Sequence, residues 1–261
     1  KMGIADNRKL FIRDHLSQNG VVQVRELATA LNVSEMTIRR DLSDLEKEGI
    51  LKRTHGGAVQ EVSRSFEPSF GLRQTIHQSE KQKIAEMAAR HVEESDTIAI
   101  DSGTTAIELA KLLLNFRNLT IVTPSLHVAV LFLDHPSIEP ILSGGRVRKS
   151  EGSLVGEITW TTFSNLFFDK FFMSTGCLSE PAGFTEYNTD DAAIKKMIIS
   201  HSKKTIALID SSKFGRTAFS QVCPCKDVDV LVTEKEPDQN LKKALLKSGV
   251  KIETDQIRRK K

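Results

Sequence analysis

The spacing of apolar residues changes near residue 75, and this change constrains the fold more strongly than any other sequence feature. Residues 7–58 carry apolar side chains every three or four positions, which is typical of amphipathic helices. Beyond residue 75, short apolar runs alternate with helical patterns. Such alternation predicts a mainly parallel sheet covered by helices on both faces. We therefore expect an α/β protein with a small N-terminal helical domain and a larger C-terminal domain.

The same change sets the expected domain boundaries. A chain of 261 residues has room for one small and one medium domain. Residues 59–74 lack sustained periodicity and contain Ser, Pro and Gly, so we interpret them as a linker in which Phe66 and Phe70 are docking points. The predicted segments are an N-terminal domain at 1–58, this linker at 59–74, a C-terminal domain at 75–255, and a basic tail at 256–261. The tail is either solvated or a phosphate-binding arm.

The composition excludes several classes of protein. With 39% hydrophobic and 27% charged residues, the chain is typical of globular domains. No apolar run approaches the ~18 residues of a membrane helix, and no export signal is visible, so we expect a cytoplasmic protein without a membrane partner. The three cysteines, Cys177, Cys223 and Cys225, provide neither a disulfide framework nor four zinc ligands. We predict no metal and no cofactor.

Three short helices followed by a hairpin are predicted for residues 7–58. Ser34 is a good N-cap for the third helix, because its hydroxyl accepts from free N–H groups of the first turn. Gly20 and Gly49 are expected to end the first and third helices. Gly56 and Gly57 tolerate the positive φ of a tight turn within a hairpin at 50–58. The apolar positions of the helices are Leu10, Ile12 and Leu16; Val24, Leu27, Ala28 and Leu31; and Ile38, Leu42 and Leu45.

This outline is that of a winged helix-turn-helix, in which the third helix enters the DNA major groove. Arginine binds guanine bidentately, and a basic wing contacts phosphate or the minor groove. Arginines on a solvated surface helix are the alternative. The coincidence of cap, apolar register, paired arginines and basic wing favours DNA binding. The predicted DNA-binding residues are Ser34, Glu35, Met36, Thr37, Arg39 and Arg40 on the helix and Lys52, Arg53 and His55 on the wing.

Small hydroxyl, glycine and cationic residues follow four predicted strands. Unpaired N–H groups at a helix N-terminus bind phosphate, and ligands of open α/β sheets lie at the carboxyl ends of strands. Taken alone, the loop of Asp101 to Thr105 is better explained by a simple helix cap at Thr104. The convergence of four such loops favours one anion pocket over four independent caps. The predicted effector-binding residues on these loops are Asp101, Ser102, Gly103, Thr104, Thr105, Ser125, Gly144, Gly145, Arg146, Asp210 and Lys213.

Two further residues have open alternatives. Lys81 follows the linker and is predicted to reach the same anion, or else to be a solvated lysine on its helix. Asn188 contacts sugar hydroxyls or caps the helix that begins near Asp190, and capping is the favoured interpretation.

The N-terminal segment closely resembles the signature of the DeoR family of bacterial transcription regulators. The resemblance is carried by residues 33–42, VSEMTIRRDL, together with Arg25-Glu26-Leu27-Ala28 and the hairpin residues 53–58. It continues through the C-terminal domain, so that it covers about residues 7–255. The matching positions there are Glu80-Lys81, Asp101 through Thr105, Gly144-Gly145, Gly156, Asp169-Lys170, Gly183, Ala192, Lys195, Met197, Asp210 and Lys213-Phe214.

The resemblance implies a function. It implies a C-terminal domain with the fold of ribose-phosphate isomerases and amino-sugar-phosphate deaminases that senses a phosphorylated sugar or related metabolite. It also implies a repressor of carbohydrate metabolism genes that binds a double-stranded DNA operator. Because operator half-sites mirror a protein two-fold axis, we expect a homodimer or homotetramer. Pro124 departs from the family pattern, in which asparagine is frequent, so a hydrogen bond to the effector is expected to be lost.

An enzyme acting on sugar phosphates, fused to a DNA-binding domain, is the alternative from a different class. Asp101 as general base and Lys213 as electrostatic partner would suit such chemistry. Against it, Glu186 is the only candidate for the second acid/base group between residues 180 and 191. His127 and His135 are expected on a helix surface and in a turn. We expect no enzymatic activity.

Overall fold

The computed structural model describes residues 4–19, 21–48, 50–60, 64–65 and 67–255. It divides into two compact units, residues 1–68 and 69–261. The predictions for Gly20, Gly49, Phe66 and the tail at 256–261 lie outside the described residues. Among the helices described, none is long and apolar enough to cross a membrane.

The described part of the first unit is a winged helix-turn-helix, as predicted. Its three helices surround a core that includes Ile12, Leu27, Ile38, Leu42 and Leu45. Its three strands form an antiparallel sheet of order β1-β3-β2, in which β1 was not predicted. The elements are α1 (Ile4–Asn19), β1 (Val21–Gln23), α2 (Val24–Ala30), α3 (Glu35–Lys47), β2 (Leu51–Arg53) and β3 (Gly57–Gln60).

The hairpin turn corrects one expectation about its glycines. Neither Gly56 nor Gly57 has a positive φ, so conformational freedom is not the reason for glycine here. Gly57 pairs with Gln23 in the sheet, and a Cβ at Gly57 would lie 1.8 Å from the carbonyl oxygen of Val22. Close approach of strands β1 and β3 therefore requires a glycine at position 57.

The second unit is built on a seven-stranded sheet of order β15-β14-β12-β9-β4-β5-β6. Every neighbouring pair in this sheet is parallel, which confirms the prediction. Its strands are β4 (Thr97–Ile100), β5 (Thr120–Thr123), β6 (Pro140–Leu142), β9 (Lys170–Ser174), β12 (Thr205–Leu208), β14 (Val230–Thr233) and β15 (Lys251–Thr254).

Helices cover both faces of this sheet, again as predicted. One core cluster combines the sheet with α5, α6 and α7, and the other combines it with α8, α9 and α10. The buried strand residues alternate between the clusters, because successive side chains point to opposite faces. The helices of the unit are α4 (Phe70–Thr75), α5 (Gln78–Ala89), α6 (Thr104–Leu113), α7 (Leu126–Leu131), α8 (Glu157–Ser164), α9 (Thr189–Ser200) and α10 (Gln239–Lys247).

Several elements were not predicted from the sequence. The stretch 59–74, interpreted as a linker, contains the end of β3 and nearly all of α4. Helix α8 and two small antiparallel sheets also escaped prediction, because their segments are short and lack clear periodicity. The additional strands are β7 (Arg146–Arg148) with β8 (Ser153–Val155), and β10 (Cys177–Ser179), β11 (Gly183–Glu186) and β13 (Ser220–Cys223).

Candidate functional site

Helix α3 begins at the predicted cap. Ser34 has extended backbone angles, and its Oγ accepts a hydrogen bond from the Thr37 backbone nitrogen at 3.2 Å. The Ser34 and Thr37 hydroxyls also lie 2.9 Å apart. This arrangement confirms the capping prediction and fixes the first turn of the helix. Both hydroxyls are thus already engaged with the helix itself.

The residues expected to face DNA lie on the solvent side of α3. Met36 is 75% exposed, and Arg39 and Arg40 are both exposed. Glu35 receives a hydrogen bond from Arg39 at 3.0 Å and lies 3.5 Å from Arg25. Such surface ion pairs contribute little stability, but they restrain the direction of the Arg39 side chain.

The wing lies beside α3 and is tied to it by one carboxylate. Glu46 of α3 accepts from the Arg53 backbone nitrogen at 2.8 Å. A groove of about 500 Å³ between helix and wing is lined by Arg39, Arg53 and His55, among others. The structure therefore brings these three predicted residues together. Lys52 is exposed on β2.

One ion pair that holds α3 in place was missed by sequence reasoning. Asp41, only 3% exposed, accepts from Arg8 of α1 at 2.5 and 3.0 Å. A buried aspartate on the apolar side of a helix is a signal for a cationic partner. The sequence contains this signal, but it does not identify the partner.

In the second unit, the four predicted loops all lie at the carboxyl edge of the parallel sheet. They follow β4, β5, β6 and β12, and the loop after β9 lies between those of β4 and β12. At about 4.8 Å per strand, the ends of β6 and β12 are about 19 Å apart. The loops after β4, β9 and β12 are therefore one neighbourhood, and those after β5 and β6 lie at its side.

The loop after β4 leads into α6 without a side-chain cap. Its N-cap is Gly103, at φ +127°, and no side chain caps the first N–H groups of the helix. The alternative that Thr104 caps α6 is therefore wrong; Thr104 and Thr105 are buried. Ser174, at the end of β9, packs against Gly103, and its buried Oγ has no partner among the described residues.

Asp101 is enclosed rather than open to a ligand. It is 1% exposed, and its carboxylate accepts from the backbone nitrogens of Ser102 at 2.8 Å and Ser174 at 2.9 Å. Burial raises the pKa of Asp101 to about 6, against the opposing effect of the Lys195 ammonium. Asp101 thus joins the loops that follow β4 and β9.

Lys195 of α9 is the residue at this edge that sequence reasoning did not place in the site. Its Nζ lies 2.9 Å from Asp101 and 2.7 Å from Glu186, and it donates to the Ser174 carbonyl at 2.8 Å. Burial disfavours its charge, but the facing carboxylates outweigh burial and raise the pKa of Lys195. Glu186, the candidate second acid/base group, is therefore paired with Lys195 in a buried ion cluster.

Lys213 bridges the ends of β12 and β9. Its Nζ donates to the Thr175 carbonyl at 2.9 Å and lies 3.9 Å from Asp210. Asp210 caps a short 3₁₀ turn at Ser211–Lys213 by accepting from the Ser212 nitrogen. Burial would raise the pKa of Asp210, but Lys213 and its other partners hold it below the ordinary value.

Lys81 is buried, so the alternative of a solvated lysine is wrong. It is 3% exposed, and its Nζ donates to the carbonyls of Arg73 and, at 2.8 Å, of Ile76. Burial and, next, the Lys213 ammonium lower the pKa of Lys81 to about 8. Lys81 and Lys213 therefore concentrate positive charge near Asp210.

The loops after β5 and β6 are held by neighbouring elements. Ser125 caps α7 by accepting from Val128, and the Pro124 carbonyl accepts from Leu154 of β8 at 2.7 Å. The Gly144 carbonyl accepts from Thr159 of α8 at 2.6 Å. A Cβ at Gly145 would lie 2.2 Å from the Thr159 hydroxyl. Glycine at this position therefore permits α8 to approach the loop.

Two arginines of β7 face the start of α9. Arg146 lies 2.8 Å from Asp190 on the surface, and Arg148 lies 2.7 Å from the buried Asp191. Asn188 accepts from the nitrogens of both aspartates, which confirms its capping role. Arg148 was not predicted, although it shares a strand face with Arg146.

Comparison with known proteins identifies the family. A model of the DeoR-like helix-turn-helix domain matches residues 8–64, and a model of the DeoR C terminal sensor domain matches residues 76–235. The chain belongs to the DeoR family of transcription regulators. It is therefore a DNA-binding regulator whose second unit is a sensor domain.

Relatives align over nearly their whole length. The HTH-type transcriptional regulator GolR of Listeria innocua is 34% identical over 237 residues, which are 91% of this chain and 93% of that protein. The glycerol-3-phosphate regulon repressor of Escherichia coli is 31% identical over 238 residues, 91% and 94% of the two chains. These DeoR-family relatives are regulators by name, not enzymes.

Ribose 5-phosphate isomerase A of Methanocaldococcus jannaschii is a structural neighbour of this chain. Its identity is 15% and its TM-score 0.38, covering 51% of this chain and 53% of that one. A similarity at this TM-score does not establish that the two proteins share a fold. The α/β fold class rests on the sheet described above.

Proposed function

We propose that this DeoR-family regulator represses genes of carbohydrate metabolism and loses operator affinity when a phosphorylated sugar binds its sensor domain. The protein would act in the cytoplasm as a homodimer or homotetramer on a two-fold operator. The naming of a relative as a repressor of a glycerol-3-phosphate regulon supports repression and this effector class.

The observation that carries the effector proposal is the uncapped start of α6. Unpaired N–H groups at a helix N-terminus carry partial positive charge and bind phosphate. Lys213 reaches the end of β9, which is the strand next to β4, so a cation lies close to this helix start. A phosphate dianion would therefore meet directed donors and a point charge together.

The other predicted residues take different parts in this proposal. Ser102, Gly103, Thr104 and Thr105 surround the phosphate, while the enclosed Asp101 positions their loop. Asp210 and Lys81 set the charge around Lys213. The sugar would extend toward the loops after β5 and β6, which carry the predicted residues Ser125, Gly144, Gly145 and Arg146.

On DNA, we propose that Arg39 and Arg40 contact bases, with Met36 and Thr37 beside them. The wing residues Lys52, Arg53 and His55 contact phosphates. The shared groove between α3 and the wing supports this division, because it places Arg39 opposite Arg53 and His55. Ser34 and Glu35 act indirectly, by fixing the helix start and the Arg39 side chain.

We propose that the sensor domain has no enzymatic activity. Both carboxylates that could act as acid/base groups, Asp101 and Glu186, share the Lys195 ammonium in a buried cluster. Incubation with aldose and amino-sugar phosphates should yield no product by mass spectrometry. Turnover of any of them would favour the enzyme instead.

The effector proposal is tested by thermal unfolding with a panel of ligands. The panel contains glycerol 3-phosphate, glucose 6-phosphate, fructose 6-phosphate and inorganic phosphate, each sugar paired with its unphosphorylated form. A ligand that binds only the folded protein raises Tm with concentration. We expect a phosphorylated sugar to raise Tm and to weaken operator binding. A panel without any effect, or equal effects of phosphorylated and free sugars, would reject the proposal.

A further inference from the structure

Helix α4, the first element of the second unit, is docked by contacts that lead to three of the predicted effector loops. We propose that α4 is the switch element of the regulator: it is docked in the operator-binding form, and movement of the effector loops undocks it. This inference rests on the proposed effector site, and it adds the route by which that site controls DNA binding.

The first contact is a chain of buried ion pairs. Arg73 of α4 bonds to Glu151, which is 4% exposed, and Glu151 lies 3.8 Å from Arg148. Arg148 in turn lies 2.7 Å from Asp191, at the start of α9. Lys195 stands one helical turn farther along α9, where it binds Asp101. The alternating charges thus connect α4 to the loop after β4.

The second contact is made by Lys81. Its ammonium donates to the carbonyls of Arg73, in the last turn of α4, and of Ile76, just beyond it. Because the last carbonyls of a helix have no intrahelical partner, Lys81 supplies hydrogen bonds that the end of α4 lacks. The same ammonium lies in the field of Lys213 and Asp210. A phosphate that draws Lys213 away from Asp210 would change the charge balance around Lys81 and hence its hold on α4.

The third contact is an aromatic stack. The Phe70 ring lies 4.2 Å from the His127 ring, at an interplanar angle of 6°. His127 belongs to α7, whose N-cap is Ser125, and its ring packs against Gly152. A Cβ at Gly152 would lie 2.5 Å from the imidazole, so the ring packs closely on the backbone here and only glycine leaves room for it. The loop after β5 is therefore connected to α4 as well.

Buried ion pairs make such an element two-state rather than gradually deformable. Removing one partner leaves an uncompensated charge in a low-dielectric site, so the pairs break together or stay. Because the second unit begins at Ser69 and α4 begins at the next residue, Phe70, the position of α4 sets where the chain enters that unit. An effector that favours one arrangement of the loops thereby biases α4.

The test is operator titration of the full chain without any added ligand. Glu151→Gln removes the charge that holds Arg73. Asp96→Asn is the matched control, because Asp96 is 8% exposed and pairs with Lys170 at 2.6 Å, at the opposite edge of the sheet. We expect Glu151→Gln to bind operator at least about fivefold more weakly than wild type, and Asp96→Asn to stay within about twofold. Thermal unfolding of both variants checks that they are folded.

A second variant covers the case in which Glu151→Gln does not fold. Phe70→Leu removes the stack on His127 but keeps an apolar side chain. Phe167→Leu is its control, since Phe167 contacts His201 at 5.1 Å and is 75% exposed. We expect weaker operator binding for Phe70→Leu alone. If both α4 variants match their controls, or bind operator more tightly, the switch role of α4 is overturned.

The outcomes separate this inference from the proposed function. If no phosphorylated sugar stabilises the protein while both α4 variants lose operator affinity, the switch stands and the effector class is wrong. If glucose 6-phosphate or another panel member releases operator from wild type and from both α4 variants alike, the effector stands and the switch falls.

Discussion

Gly103 adopts a backbone conformation at φ +127° that residues with side chains rarely adopt. The missing side chain of Gly103 also leaves room for Ser174, because a Cβ at position 103 would lie 3.0 Å from the Cβ of Ser174. Gly103→Ala should lower the free energy of unfolding by about 1–3 kcal/mol from strain, with a further loss from crowding. It should also weaken binding of a phosphorylated ligand, because the loop must shift.

Gly156→Ala is the control for crowding. Gly156 begins α8 at φ +99°, but nothing lies within 4 Å of its Cβ position. Urea unfolding should therefore show a smaller loss for Gly156→Ala than for Gly103→Ala. Equal losses in the two variants would mean that the packing of Ser174 against Gly103 has no energetic importance.

Lys81 gives the protein a pH dependence that can be assigned to one residue. Its pKa is about 8 in the folded protein, against the ordinary 10.5. Between these values the unfolded chain binds more protons, so the unfolding free energy rises with pH across this window. The charges that set this pKa, after burial, belong to Lys213, Asp210, Arg73 and Glu108.

Lys81→Met should abolish this contribution. As pH rises through the window, the unfolding free energy of wild type should increase relative to that of Lys81→Met by about 3 kcal/mol. Urea unfolding at several pH values measures it. Lys83→Met, at a half-exposed position on the same helix, should leave the slope unchanged. Parallel curves for wild type and Lys81→Met would refute the assignment.

At the scale of elements, α3 is the part of the molecule most open to test. Arg39→Ala and Arg40→Ala should each weaken operator binding by about 1–3 kcal/mol if a base contact is lost, with relaxed sequence preference. Neither side chain belongs to the buried stripe of Ile38, Leu42 and Leu45, so unfolding midpoints should stay near wild type.

The salt dependence distinguishes the kinds of contact that these arginines make. Loss of a phosphate contact lowers the slope of log affinity against log salt by about one, whereas loss of a base contact leaves it nearly unchanged. Arg90→Ala, an exposed arginine of the second unit, serves as the control. If Arg39→Ala and Arg40→Ala bind operator as tightly as Arg90→Ala does, α3 does not contact DNA.

These elements also show how far the sequence alone reaches. The main helices and the parallel strands were predictable, because each has its own apolar period and a recognisable end such as Ser34. Helix α4 was missed because its six residues include Gly71 and are stabilised by contacts from elsewhere, such as that of Phe70 with His127. Local propensity does not encode such contacts.

The candidate site shows the same limit. The loops at the strand ends were predictable, because parallel strands place their carboxyl ends on one edge. The ion pairs of Lys195 with Asp101, of Arg148 with Asp191 and of Arg73 with Glu151 were not, since each of them joins segments far apart in the chain. Lys195 did give a signal: a lysine on an apolar helix, one turn after Asp191, requires acidic neighbours when buried.

At the scale of the whole molecule, regulation requires that effector and operator binding be coupled. The coupling is a difference in effector affinity between the operator-competent form and the other form, and it is reciprocal. Lys213 lies at the proposed phosphate site, where its Nζ donates to the Thr175 carbonyl and faces Asp210. Its loss should therefore weaken effector binding and, with it, the response of operator affinity to effector.

Lys213→Ala should raise the concentration of a phosphorylated sugar needed for operator release by at least about tenfold, because a charge-assisted contact contributes roughly 1.5–3 kcal/mol. Lys203→Ala is the control: Lys203 is an exposed lysine that pairs with Asp169 at 2.7 Å, near the opposite edge of the sheet. Operator titrations of both variants and wild type, at increasing effector, measure the shift. Release of operator from Lys213→Ala at the wild-type effector concentration would contradict the pocket. Operator affinity measured without effector shows separately whether loss of the Lys213 charge also acts on α4 through Lys81, because a residue that acts through the ligand alone leaves the unliganded equilibrium unchanged.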